Sequence, residues 1–204
     1  MLRGLEAAAS LVYPFVVYLG LQMVSPRTLA AILAVLVVAR SARRLRQTSW
    51  TLLAPIVTAA ALVLTVVTLA ALFDDGRFFT LVPVVVNLGL FVAFARSLVR
   101  GPSLVESFAR LRYRALPAEA EGYCRRVTAL WCVFFVLNAA VTLWLALRAS
   151  LAAWTLYTGL VAYVVIGVLF GLEHVYRAWR YRHYEDGLAD LVLRRIFPPR
   201  VATR

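Results

Sequence analysis

Lysine is missing altogether from these 204 residues, and cysteine, histidine and methionine occur twice each. Charge of any sort is scarce: 16% of residues are charged, where an ordinary globular domain carries about 25%. Two cysteines, Cys124 and Cys132, are too few for a disulfide framework, and no CxxC, HExxH or paired Cys/His spacing is present. That excludes a structural zinc site by motif and leaves the pair as small packing residues. The low charge excludes intrinsic disorder. The absence of a Gly-x-y repeat excludes a collagen-like chain.

Apolar residues fill the space that charge leaves. They make up 63% of the chain, and mean hydropathy is +0.81. A single soluble core of this size has no room for so much apolar surface, so the composition points to an all-α polytopic membrane protein. All 22 basic residues are Arg, and with ten acids the net charge is +12. An excess of this kind suits nucleic acid in a soluble domain. Here the Arg residues stand at the ends of apolar runs, which suits cytoplasmic loops and anionic lipid headgroups instead.

A hydrocarbon core of about 30 Å asks for about 20 helical residues. Leu52–Phe73, Phe78–Ala95, Val127–Leu147 and Leu151–Leu172 meet that length. Ala7–Val24 and the shorter Thr28–Ala39 flank Ser25-Pro26-Arg27, and the second of these is read as a short tilted span with Arg40 at the headgroups. The expectation is six transmembrane helices forming three hairpins, in one domain over residues 1–204. With the N-terminus in the cytoplasm, nineteen Arg fall on the cytoplasmic side and three (Arg27, Arg77 and Arg148) on the outer side. The positive-inside rule favours that arrangement, with both termini cytoplasmic. The first run carries Pro14, Tyr13 and Tyr18 and no small-x-small cleavage site, so it is expected to remain attached.

Two loops carry patterns. Gly101-Pro102 ends a span, and Ser103 with Glu106 three residues on makes a capping box. Leu104, Phe108 and Leu111 then share a face, with Glu106, Arg110 and Arg114 elsewhere. This predicts a short amphipathic cytoplasmic helix over 103–115, lying in the membrane interface or packed on the bundle. The basic tail, 173–204, opens with Glu173, His174, Tyr176, Arg177, Trp179, Arg180 and Tyr181. Alternating aromatics and Arg can stack bases, but directly after an apolar span they read as an interfacial belt. Arg110, Arg114, Glu173, Arg177 and Arg180 are therefore the candidate interfacial residues.

Within the spans the strongest polar groups are Asn87 and Asn138, the candidate intramembrane pair. No carboxylate sits inside a span, as a proton-coupled pump would need. No nucleophile–base pair can be argued, so no catalytic residue, cofactor site or metal site is assigned. Gly159, Gly167 and Gly171 permit close helix approach, with Gly167 and Gly171 at GxxxG spacing.

The stretch from Val127 through Trp131, Phe134, Phe135 and Asn138, then Trp154 through Tyr163, with Gly101–Glu106 upstream, resembles an uncharacterised family of bacterial inner-membrane proteins. That family accompanies genes for aryl-polyene and xanthomonadin-type pigment lipids in Gram-negative bacteria. Leu11–Arg40 is distantly similar to the intracellular septation protein A family. The resemblance transfers no site residue. It implies a multi-pass bacterial inner-membrane protein of the cell envelope beside polyene-lipid synthesis or export. Three functions follow: an accessory protein assisting acyl-chain enzymes or a lipid exporter, a small transporter or lipid flippase, and a membrane enzyme without a recognisable motif. The implied partners are the anionic bilayer and such enzymes or exporter, with no nucleic acid.

Overall fold

The computed structural model describes residues 2–45, 50–112, 118–181 and 193–198. Among the described residues the ordered elements are helices and no strand occurs. The chain divides into two units, Met1–Leu160 and Val161–Arg204.

The first unit opens with α1 (Leu2–Met23), α2 (Pro26–Leu45) and α3 (Trp50–Phe73). A 3-10 turn, Gly76–Leu81, leads into α4 (Val82–Val99), followed by α5 (Leu104–Arg112), α6 (Ala118–Arg148) and the short α7 (Leu151–Leu156). Local chemistry explains the breaks. Ser25 accepts the backbone N–H of Thr28, capping α2. Asp75 accepts the N–H of Arg77 at 2.8 Å and starts the 3-10 turn. Gly101, at φ +87°, takes the left-handed conformation that lets the chain leave α4. Ser150 caps α7 through the N–H of Ala153.

The three hairpin turns gather at one end of this unit. Arg27 pairs with Asp74 at 3.7 Å and donates to the Ala71 carbonyl. A buried apolar core lies just beneath, formed by Val17, Leu29, Val67, Phe79, Leu145 and Trp154. Two long polar contacts tie it: Tyr13 donates to the Phe79 carbonyl at 2.9 Å, and the Trp154 indole donates to the Thr80 carbonyl at 3.2 Å. Further along, α4 and α6 pack side by side, with Phe94 edge-on to Phe135 at 5.0 Å. At the opposite end Arg125 donates to the Leu98 carbonyl, and the N–H of Val105 to Thr128.

The second unit holds α8 (Ala162–Tyr181) and one helical turn at 193–196. A π-helical turn, Tyr157–Val161, joins α7 to α8.

Three helical runs are long and apolar enough to cross a membrane: Gly76–Val99, Ala120–Arg148 and Leu151–Tyr181. The other apolar stretches, Val12–Met23, Pro26–Ala39 and Ala61–Phe73, are shorter among the described residues. Three helices of crossing length and apolarity, rather than six, are thus what the described residues supply. The helices that hold the expected spans have bounds of their own. The segment expected as a short span at 28–39 belongs to a 20-residue helix reaching Leu45. The span expected from Phe78 begins as a 3-10 turn, because Asp75 caps the chain there before Pro83 sets the first turn of α4. The expected span at 127–147 is the C-terminal part of a 31-residue helix that starts at Ala118, as the lack of a strong breaker between Pro117 and Val127 leads one to expect. Helix continues nine residues past Leu172 into the stretch read as tail.

The capping box forms as expected: Glu106 N–H donates to Ser103 Oγ, and Ser103 N–H to a Glu106 carboxylate oxygen, both at 3.4 Å. The packed face is the one that carries the capping box. Ser103 and Glu106 are buried, whereas Phe108 and Leu111 are 60% and 85% exposed. The cap and the Arg110–Glu121 ion pair hold this face on α6, which leaves Phe108 and Leu111 outward. The helix is described to Arg112, so residues 113–115 of the expected element lie outside the described residues.

Candidate functional site

Asn87 and Asn138 are 51 positions apart, and the packing of α4 on α6 brings them into direct contact. Asn138 Nδ2 donates to Asn87 Oδ1 at 2.9 Å. Asn87 Nδ2 in turn donates to the Pro83 carbonyl at 2.7 Å. Tyr157 completes the series by donating its hydroxyl to Asn138 Oδ1 at 2.8 Å. The direction of this chain is determined from one end. A carbonyl only accepts, so Pro83 requires the Asn87 amide nitrogen to face it. Asn87 Oδ1 is then an acceptor for Asn138, whose own oxygen is left to accept from Tyr157.

Both amides are 8% exposed. A buried amide left without a partner costs about 1–3 kcal/mol, and this arrangement satisfies both oxygens. Tyr157 reaches the pair because it opens the π turn, where the helix widens and the register of the following residues shifts. On the same stretch Gly159 lies against Phe15 of α1: a Cβ there would meet the ring at 2.8 Å. The missing side chain permits that approach.

The buried threonines differ from one another. Thr80, Thr128, Thr155 and Thr158 donate their hydroxyls to carbonyls three or four residues earlier. Thr142, one helical turn beyond Asn138 and 1% exposed, has no hydrogen-bond partner for its hydroxyl among the described residues.

The other predicted residues fall into separate groups. Arg110 bridges Glu106 and Glu121, at 2.7 Å to each carboxylate. The Glu106 hydrogen bond and charge push its guanidinium above the ordinary arginine value. Arg114 lies outside the described residues. In the second unit Glu173 and Arg177 approach to 3.8 Å, Arg177 contacts His174, and the Arg180 guanidinium sits 5.7 Å from the Tyr181 ring centre. Gly167 and Gly171 face open space. Among the described residues no group of three His, Cys, Asp or Glu could hold a metal ion.

Sequence reasoning missed Tyr157, whose role depends on a π turn that no local motif announces. It also missed Trp154 and Thr80, joined through a backbone carbonyl. The one available signal was burial of polar tips on aromatic side chains, which normally find a partner.

The class these features define is an all-helical protein with helices of membrane-crossing length and apolarity, braced internally by an amide–tyrosine chain. Compared with family models, curated proteins and solved structures, the chain matches none.

Proposed function

We propose that this chain is a six-span accessory protein of the bacterial inner membrane, with both termini cytoplasmic. In this reading it holds or assists acyl-chain enzymes or a lipid exporter in envelope lipid or polyene-lipid synthesis. The observation that supports it is the amide pair. A carrier places its polar groups around a cavity that opens to water; here Asn87, Asn138 and Tyr157 satisfy each other across helices. The cavity at the turn end is lined by neither amide. Direct bonding of this sort serves helix packing.

Six spans and the cytoplasmic termini rest on the distribution of Arg and on the gathering of the three turns at one end. The opposite end of the first unit carries exposed Arg96, Arg100, Arg125 and Arg126, beside the outward Phe108 and Leu111 of α5. Apolar side chains among cations suit an anionic bilayer surface and a soluble enzyme held against it.

The test is photocrosslinking in intact membranes, with the photoreactive residue placed at Phe108 or Leu111. Crosslinks to an acyl-chain enzyme or a lipid exporter are the expected result. Crosslinks to lipid alone, together with lipid movement by the reconstituted chain, would favour a flippase and overturn the accessory role.

A further inference from the structure

We infer that the cavity between the three hairpin turns of the first unit is a binding site for a phosphate-bearing lipid headgroup, with Arg77 as the group that recognises the phosphate. The cavity has a volume of about 430 Å³, ample for a phosphodiester and its glycerol. Its walls come from all three hairpins: Leu21 from α1, Asp75 and Arg77 from the second turn, and Ala146, Leu151 and Trp154 from the third.

Charge bookkeeping within the turns singles out Arg77. Arg27 is engaged by Asp74 and by the Ala71 carbonyl. Asp75 turns a carboxylate oxygen to the backbone N–H of Arg77, at 2.8 Å. The exposed Arg77 side chain has no ion pair or hydrogen bond among the described residues. Trp154, 1% exposed and bonded to the Thr80 carbonyl, gives the cavity a fixed aromatic wall. Leu21, Ala146 and Leu151 give it an apolar one. A guanidinium above apolar walls matches a headgroup phosphate with the start of its acyl chains below, and Arg suits phosphate because its planar fork donates two parallel hydrogen bonds. Headgroup depth is where the ends of membrane-crossing helices lie, so the assignment rests on the membrane reading above.

Free phosphate shares the recognised chemistry but not the apolar walls, and this separates the two sources. The full chain would be purified in a neutral detergent and titrated with phosphatidylglycerol, with diacylglycerol and with inorganic phosphate. We expect phosphatidylglycerol to bind at least tenfold more tightly than diacylglycerol, which has the acyl chains without the phosphate, and inorganic phosphate at millimolar concentration to leave that binding unchanged. Arg77→Gln should reduce the preference at least fivefold, Arg77→Lys should keep part of it, and Ala146→Trp, which fills the cavity, should remove binding of both lipids. Arg148→Gln, at the same end but outside the cavity wall, should behave as wild type. Arg77→Gln indistinguishable from wild type would overturn the site, as would full competition by inorganic phosphate. If Arg77→Gln unfolds, Arg77→Lys and Ala146→Trp decide between the same outcomes. Release of the chain from membranes by alkaline carbonate would count against the membrane reading itself. Retention in membranes with equal binding of the two lipids would count against the site alone.

Discussion

Asn138 hands its amide hydrogen to Asn87 across the α4–α6 contact at 2.9 Å, and the oxygen it keeps accepts from Tyr157 at 2.8 Å. One side chain thereby joins three helical segments. Replacing it leaves the buried Asn87 Oδ1 and the half-buried Tyr157 hydroxyl without partners.

Asn138→Leu should therefore destabilise the protein by about 1–3 kcal/mol, and Tyr157→Phe by less. Asn87→Leu combined with Asn138→Leu should cost less than the sum of the two, with a coupling energy of about 0.6–2 kcal/mol. Unfolding in mixed detergent micelles measures all of these. Additive losses would mean that the two amides do not share a bond.

The two kinds of glycine should separate cleanly. A Cβ at Gly159 would come within 2.8 Å of the Phe15 ring, while nothing lies within 4 Å of one at Gly167. Gly159→Ala should lower the melting temperature. Gly167→Ala should leave it unchanged or raise it slightly, because alanine favours helix by about 1 kcal/mol over glycine. Equal effects would contradict the close approach of α1 to the π turn.

The α5 clasp gives a rank order. Ser103→Ala removes a cap worth about 1 kcal/mol. Glu106→Gln should lower thermal stability more than Glu121→Gln, since Glu106 is buried and answers both Arg110 and the Ser103 N–H, whereas Glu121 is half-exposed. Arg110 has its pKa raised above an already very basic ordinary value. A raised folded value contributes stability that is lost only as pH climbs through it, so Arg110 should confer no pH dependence near neutrality. A melting temperature that falls between pH 6 and 8 and is restored flat by Arg110→Gln would refute this.

Topology is tested at the turns. With Cys124→Ala and Cys132→Ala as background, Asp75→Cys and Ala149→Cys should both react with an impermeant thiol reagent added outside intact cells. Protection of either one would place its turn in the cytoplasm and break the six-span proposal.

Much of this was legible in the sequence because apolar run length and breakers act locally. Ser25-Pro26, Asp74-Asp75-Gly76 and Ser150 mark real turns, and Ser103 with Glu106 marks a real helix start. The choice of Asn87 and Asn138 was also readable, since polar amides in apolar runs are conspicuous. Their meeting was not, because it depends on how α4 and α6 register against each other. Which face of α5 packs on the protein was left open for a related reason. Periodicity shows that a helix has two faces, but the buried cap and the Arg110–Glu121 ion pair decide which one packs on the protein. Tyr157 needed a π turn, and nothing in Tyr-Thr-Gly-Leu-Val demands one. Thr28–Ala39 looked short because Arg40 was taken as its end, although α2 carries on to Leu45.

The central claim is that the amide chain braces a dry bundle rather than lining a route for a substrate. Thr142 offers the most direct probe, because it lies one turn from Asn138, is 1% exposed, and has no hydrogen bond to lose among the described residues. In the background lacking Cys124 and Cys132, Thr142→Cys would be exposed to a small charged methanethiosulfonate reagent from each side of the membrane, with Asp75→Cys as the reactive standard. The account predicts that Thr142→Cys stays unlabelled while the standard reacts to completion. Labelling of Thr142→Cys at a rate comparable to the standard would show water beside Asn138 and contradict the account.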